Sequence, residues 1–265
     1  MAAEPALTGA KILETKSLGV RFGGLHALRH VDLDVDEGSI FGVIGPNGAG
    51  KTTFFNVVSG YIRPSEGAVI YAGQNITACE AHVAARKGLV RTFQITSLFP
   101  NLTVEENIAI GRHLHRSGDG LRALGLGLWE SPAARQDCDR AREIADFLEI
   151  DDVLDKPAKN VSFGDQRKLE IGIALAAEPK LLLLDEPAAG LNLEEAMRLV
   201  GLVEAIRQRG ATILIVEHNM KVVVEVCDRI AVLDYGEKII EGAPKEILLS
   251  EEVRRVYLGE GETYD

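Results

Sequence analysis

The stretch Gly45-Pro46-Asn47-Gly48-Ala49-Gly50-Lys51-Thr52-Thr53 matches G-x-x-x-x-G-K-[ST], a spelling that few backbones can carry. Ser39 to Ile44, just before it, reads as a short buried strand, and Thr53 to Ser59, just after it, as the start of a helix. A strand, a glycine-rich turn and a helix in that order gather backbone N–H groups at a helix N-terminus, where an anion is held. The glycines let the chain turn and approach a phosphate closely. Lys51 brings a compact positive charge to the outer phosphates, and the Thr52 hydroxyl is placed to ligate Mg²⁺. A glycine-rich turn with a chance lysine is the alternative, and the two flanks argue against it. A nucleotide phosphate chain is the expected ligand of Gly45 to Thr53.

The rest of the chain supplies an α/β frame for that loop. Lys11 to Phe22 and Leu28 to Val35 read as strands, and Val31-Asp32-Leu33-Asp34-Val35 alternates as a half-buried antiparallel strand does. Ala68 to Ala72 is a further strand, Glu80 to Lys87 a short helix, and Leu89 to Phe93 a strand that stops at Gln94. From Thr103 the pattern turns helical, with Thr103 and Glu106 spaced as a capping box, and a second helix runs from Ser131-Pro132 to about Leu148. Gly164 to Ala177, Leu193 to Gln208 (helices), Leu181 to Leu184 and Thr212 to Val216 (strands) complete the pattern before shorter elements end near Leu258. Strands alternating with helices predict a largely parallel sheet buried on both faces. The expected fold class is α/β, a P-loop NTPase core with an antiparallel β edge and an inserted, mainly α-helical subdomain. The expected boundaries are 1–94 and 166–265 for the two parts of the core and 95–165 for the insert.

Bulk properties narrow the partners. A net charge of −11 over 265 residues argues against a mainly electrostatic grip on nucleic acid or anionic lipid. Cys79, Cys138 and Cys227 are scattered and lack C-x-x-C spacing, which fits a reducing cytosol better than a disulfide framework or a zinc site. Met1 to Ala10 lacks the basic-then-apolar pattern of a signal peptide, and no apolar run approaches the roughly 18 residues of a membrane span. The expectation is a chain soluble when isolated. His113 and His115 alternate within a helical stretch, do not share a face, and read as solvated.

A second constellation sits at the ends of later strands. Leu181-Leu182-Leu183-Leu184-Asp185-Glu186 is an apolar strand ending in two acids, and in a parallel sheet ligands collect at such carboxyl ends. Asp185 is placed to hold Mg²⁺, directly or through water, and Glu186 to orient or deprotonate an attacking water. Adjacent residues of an extended chain point to opposite sides, so the pair divides these roles. Val161-Ser162-Phe163-Gly164-Asp165-Gln166 stands directly before a helix, and Val216-Glu217-His218-Asn219 ends another strand.

In this order of motifs the chain resembles the ATP-binding subunits of ABC transporters, over about Lys11 to Leu258. The family signature Leu-Ser-Gly-Gly-Gln is replaced by Val161-Ser162-Phe163-Gly164-Asp165, which keeps Ser162 and Gly164 and departs at three positions. The resemblance implies that Phe22 stacks on adenine, with core or edge packing as the alternative. It implies that Gln94, after Arg91-Thr92-Phe93, is the Q-loop glutamine, a Mg²⁺ ligand beside Thr52 and Asp185. It makes Ala189-Gly190-Leu191-Asn192 the D-loop, where Asn192 stands in place of the common aspartate and is also spaced with Glu195 as a helix cap. His218 is then the γ-phosphate sensor, and Lys51, Glu186 and His218 are the catalytic set. The resemblance further implies ATP and Mg²⁺ as ligands and a head-to-tail pair of ATPase domains, each ATP lying between one P-loop and the other copy's Ser162, Gly164 and Asp165. An acid at position 165 suits a helix N-terminus but would repel a γ-phosphate, so its carboxylate is expected to point away.

Within the family the chain resembles the ATPases of branched-chain amino acid importers, the longer of their two ATPase types. Ala189-Gly190-Leu191-Asn192, Gln166-Arg167-Lys168-Leu169-Glu170-Ile171, Val216-Glu217-His218-Asn219-Met220, Cys227-Asp228-Arg229-Ile230, the stretch from Gly111 to Arg142 and the tail Val256-Tyr257-Leu258-Gly259 carry it. The implied partners are integral-membrane permeases, a second copy or a shorter companion ATPase, and indirectly a periplasmic or lipid-anchored solute-binding protein, with no nucleic acid. The implied place is the cytoplasmic face of the inner membrane. Leu98-Phe99-Pro100-Asn101-Leu102 reads either as lining of the permease groove or as a buried turn, and the two are compatible. A lipopolysaccharide-exporter ATPase and a soluble, non-transport ABC ATPase are the alternatives; the former usually lacks so long an insert and has aspartate at the position of Asn192. A P-loop kinase or GTPase would leave the Ser162 segment unexplained, and no Asn-Lys-x-Asp guanine motif is present.

Overall fold

A computed structural model describes residues 9–92, 98–112 and 132–258. Contacts divide the chain into two compact units, Met1–Ala84 with Leu181–Asp265, and Ala85–Lys180. The chain opens with β1 (Lys11–Phe22), β2 (Leu25–Asp36), β3 (Ile40–Ile44), α1 (Lys51–Val58), β4 (Glu66–Tyr71) and β5 (Gln74–Asn75). Helix α2 (Ala81–Arg86) leads to the second unit, with β6 (Leu89–Arg91), α3 (Val104–Gly111), α4 (Pro132–Phe147) and α5 (Phe163–Ala176). The first unit resumes with β7 (Leu181–Asp185), α6 (Leu193–Gln208), β8 (Thr212–Val216), α7 (Met220–Val226), β9 (Arg229–Asp234), β10 (Glu237–Gly242), α8 (Pro244–Ile247) and α9 (Glu251–Leu258).

In the first unit β2, β1, β4 and β5 form an antiparallel sheet in that order. The alternation read in β2 is real: Val31, Leu33 and Val35 are buried while Asp32 and Asp34 face solvent. The other sheet carries β10, β9, β3, β8 and β7 in that order, with β9, β3, β8 and β7 parallel and β10 antiparallel at its edge. All five residues of β3 and of β8 are buried, as continuous apolar runs in a two-sided parallel sheet must be. Phe54 and Phe55 of α1 are wholly buried, and each contributes about 2 kcal/mol relative to exposure. The parallel register sets Val43 against Val216 and Asp185 against Val216, so β3, β7 and β8 end at one edge. The loops that follow that edge build the site.

The second unit is mainly helical, with α3 packed on α5 and α4 on both. The capping box read at Thr103 is present: the Glu106 N–H donates to Thr103 Oγ1 at 3.1 Å, and the Thr103 N–H to Glu106 Oε2 at 2.8 Å. The turn before it is not buried, because Phe99 is 49% exposed. It is pinned from below by Asn107, which is wholly buried. Asn107 Oδ1 accepts the Phe99 N–H at 2.9 Å, and Nδ2 donates to the carbonyls of Phe99, Leu102 and Thr103 at 3.1, 3.2 and 2.8 Å. The apolar side chain is thus displayed while its backbone is fixed. No helix among the described residues is long and apolar enough to cross a membrane. His113 and His115 lie outside the described residues.

Candidate active site

The loop from Gly45 to Gly50 connects β3 to α1, as its spelling requires. Gly45 lies against β9, where a β-carbon would come 2.1 Å from the Leu233 carbonyl oxygen, so a side chain at 45 would break the loop's seat. Gly50 is the N-cap of α1 and supplies no side-chain cap. The first-turn N–H groups of α1 therefore have no side-chain acceptor at the cap, which is the condition for binding an anion there. Lys51, 6% exposed, folds back and donates to the carbonyls of Gly45 and Pro46 at 2.6 and 2.9 Å. Burial pulls its ammonium below the ordinary lysine value, against the opposing pull of the Glu186 and Asp185 charges. A phosphate at this place would restore the favour of the charged form.

A cavity of about 400 Å³ lies between this loop, Glu186 and His218. Asn47, Gly48, Ala49, Gly50, Lys51, Thr52 and Thr53 line one part, Glu186 and His218 another, and Phe22, Leu25 and Tyr235 an apolar end. Phe22 is 50% exposed at the end of β1, so it presents a ring to the cavity instead of filling the core. Strand β7 ends at Asp185, and Glu186 then turns at φ +49, a conformation uncommon for a side-chain-bearing residue. A turn, and not continued strand alternation, separates the two acids. Glu186 Oε1 meets His218 Nε2 at 2.5 Å. Thr52 is exposed and Asp185 half-buried. Among the described residues no cluster of three or more His, Cys, Asp or Glu could hold a metal by itself. The Thr52 hydroxyl and the Asp185 carboxylate are oxygen donors of the kind Mg²⁺ takes, one or two from protein with water and substrate phosphates completing its shell.

The Ser162 segment belongs to the second unit. Ser162 is the N-cap of α5, accepting the Asp165 N–H at 3.1 Å while its hydroxyl donates to Asp165 Oδ2 at 2.7 Å. Gln166 Nε2 ties the segment to the carbonyls of Ala158 and Val161. Asn192 caps α6 in a full capping box with Glu195, as its spacing predicts. Gln94 lies outside the described residues.

Three side chains at the site escaped the sequence reading. Glu217 is buried beside His218; an acid inside the run Thr212 to His218 was its visible signal. Tyr235 stands on the β9–β10 turn, whose Gly236 N–H donates to Ala49 O at 3.1 Å. Tyr257 of α9 is 40% exposed; partial desolvation raises its phenol, while a hydrogen bond with the Gly45 backbone opposes the rise. Nothing in the local sequence brings residue 257 to residue 45.

This fold and this site define a P-loop ATPase. The family model described as ABC transporter matches residues 28–189, and the chain belongs to that family. It is 39% identical over 254 residues to the high-affinity branched-chain amino acid transport ATP-binding protein BraF of Pseudomonas aeruginosa, covering 94% of this chain and 98% of that one. It is 38% identical over 254 residues, with the same coverage, to the LivG protein of Escherichia coli K12, which carries the same description. The lipopolysaccharide export system ATP-binding protein LptB of Escherichia coli K12 is 36% identical over 248 residues, covering 94% of this chain and 97% of that one. Among solved structures, the ADP conformation of the ATP-binding cassette MJ1267 of an ABC transporter superposes with a TM-score of 0.84 at 32% identity, covering 95% of this chain and all of the other.

Proposed function

We propose that the chain is the ATP-hydrolysing subunit of an ABC importer for branched-chain or related amino acids, bound at the cytoplasmic face of the inner membrane. The observation that carries this reading is the identity of 39% across 94% of the chain to a branched-chain amino acid transport ATP-binding protein. In the proposal Gly45 to Thr53 hold the phosphates, Phe22 stacks on adenine, and Lys51 offsets charge on the outer phosphates. Glu186 takes a proton from the attacking water, and His218, paired with Glu186, senses the γ-phosphate. Thr52, Asp185 and Gln94 are the residues that would hold Mg²⁺, which when bound neutralises phosphate charge. Ser162, Gly164 and Asp165 face the P-loop of a second ATPase domain, a copy of this chain or a shorter companion. The Ser162–Asp165 hydrogen bond keeps the acid on its own cap, leaving the α5 N-terminus to face an anion.

The stretch Leu98–Leu102 is proposed to line the groove that meets the permeases, and the exposed Phe99 on its Asn107-pinned turn supports that role. A rigid turn with a displayed aromatic ring suits the lining of a groove that receives a permease segment. The test is a pull-down of the tagged chain from its native membranes with mass spectrometry of what it retains. Two integral permeases, a second ATPase and an amino-acid-binding protein are expected. Recovery of lipopolysaccharide-export components, or of soluble proteins alone, would overturn the importer reading.

A further inference from the structure

We infer that Glu217 is a positioning residue for hydrolysis, its buried carboxylate fixing the two turns that present Glu186 and His218. The inference rests on the roles proposed above for those two residues. Glu217 is 2% exposed and directly follows the last residue of β8. One carboxylate oxygen accepts the Ala188 N–H at 2.7 Å. The other accepts the N–H groups of His218 and Asn219 at 2.9 and 3.2 Å. Ala188 stands in the turn that Glu186 opens, where the Ala189 N–H donates to the Glu186 carbonyl at 3.0 Å. The Glu186 N–H in turn donates to the Val216 carbonyl at 2.9 Å. With the Glu186–His218 contact of 2.5 Å, these bonds close a circuit through two loops that are far apart in sequence.

The chemistry of the clamp explains its residue type. Three N–H donors converge, and an ionised carboxylate accepts at both oxygens without offering a donor of its own. Such charge-assisted bonds are shorter and stronger than neutral ones, and they offset the cost of placing the charge at depth. Glutamine would fill the same space but turn an NH₂ group toward an N–H. Glu186, at φ +49, holds a conformation that its surroundings must enforce. The Ala188 end of the clamp does this from two residues away. Glu217 does not line the cavity, so it acts through Glu186 and His218 and not on ATP itself.

The test measures kcat and KM for ATP on the full chain for wild type, Glu217→Gln, Glu217→Asp, Glu186→Gln and His218→Ala. Glu217→Gln is expected to lower kcat by about tenfold or more, since small misplacements of reacting groups are costly. KM is expected to stay within about twofold, because nucleotide-binding residues are untouched. Under single-turnover conditions the same change should have a much smaller effect in the His218→Ala background, because the two act as one unit. Wild-type kcat for Glu217→Gln, or an equal fold-loss in both backgrounds, overturns the inference. If Glu217→Gln does not fold, Glu217→Asp decides: a reduced kcat at unchanged KM supports the clamp, and wild-type kcat removes it. Turnover retained in Glu186→Gln and His218→Ala would instead show that the underlying site reading has failed.

Discussion

Glu217 in the first unit and Asn107 in the second are both buried side chains that hold an irregular turn, yet they do it with opposite chemistry. Glu217 accepts three backbone N–H groups, while Asn107 donates to three carbonyls and accepts one N–H. The difference follows from what each turn offers. The strand ends of the first unit turn their N–H groups inward, the same surplus of donors that makes that edge attractive to phosphate. The Phe99–Thr103 turn offers carbonyls, so a neutral amide with two donors suits it and a carboxylate does not. One clamp fixes the turns that carry Glu186 and His218, and the other displays an aromatic ring.

The sharpest way to break the comparison is to give the second turn the wrong chemistry. Asn107→Asp places a buried acceptor against three carbonyls with no donor between them. It is expected to lower the free energy of unfolding by about 3 kcal/mol or more, read by denaturant titration. An unchanged midpoint would mean that the amide donors are not what hold the Phe99 turn. A smaller effect belongs to the local caps, whose partners lie within one helical turn. Asn192→Ala removes the capping-box acceptor of the Glu195 N–H and is expected to cost about 1 kcal/mol. A loss as large as that of Asn107→Asp would erase the distinction between clamps and caps.

An effect confined to alkaline pH is expected at a buried group outside both turns. Burial, with the Glu37 charge behind it, pushes the Tyr71 phenol up to about 12 from its ordinary 10.0. The native chain therefore keeps this proton while the unfolded chain loses it, so stability falls as pH rises from about 10 toward about 12. Tyr71→Phe should flatten part of that alkaline loss in denaturant titrations. A slope the same as wild type would remove Tyr71 from the account.

What could be read from sequence follows the same division. Strands and helices declared themselves by period: β1, α6 and β8 run as the apolar pattern predicts, and α3 begins where Thr103 and Glu106 place its box. The phosphate loop and the acid pair were legible because each sits at the end of a regular element that its own neighbours define. The cap at Asn192 was legible because its partner is three residues away. The clamps were not. The partner of Glu217 at Ala188 is 29 residues off and is a backbone N–H, which carries no signature in the sequence. Asn107 reads as an ordinary polar residue in a helix, and its role appears once the 99–103 turn is laid over it. The turn at Glu186 likewise replaced an expected extended alternation, since positive φ in a glutamate is set by tertiary contacts and not by propensity.

The central claim is that Glu186 activates the water that attacks ATP. It is tested most directly by measuring ATP binding and ATP turnover side by side for Glu186→Gln. Binding is expected to stay within about twofold of wild type while turnover falls by about 10²–10³, the usual reach of a lost general base. Turnover equal to wild type would contradict the assignment and, with it, the reading of the Glu186–His218 pair as the catalytic centre.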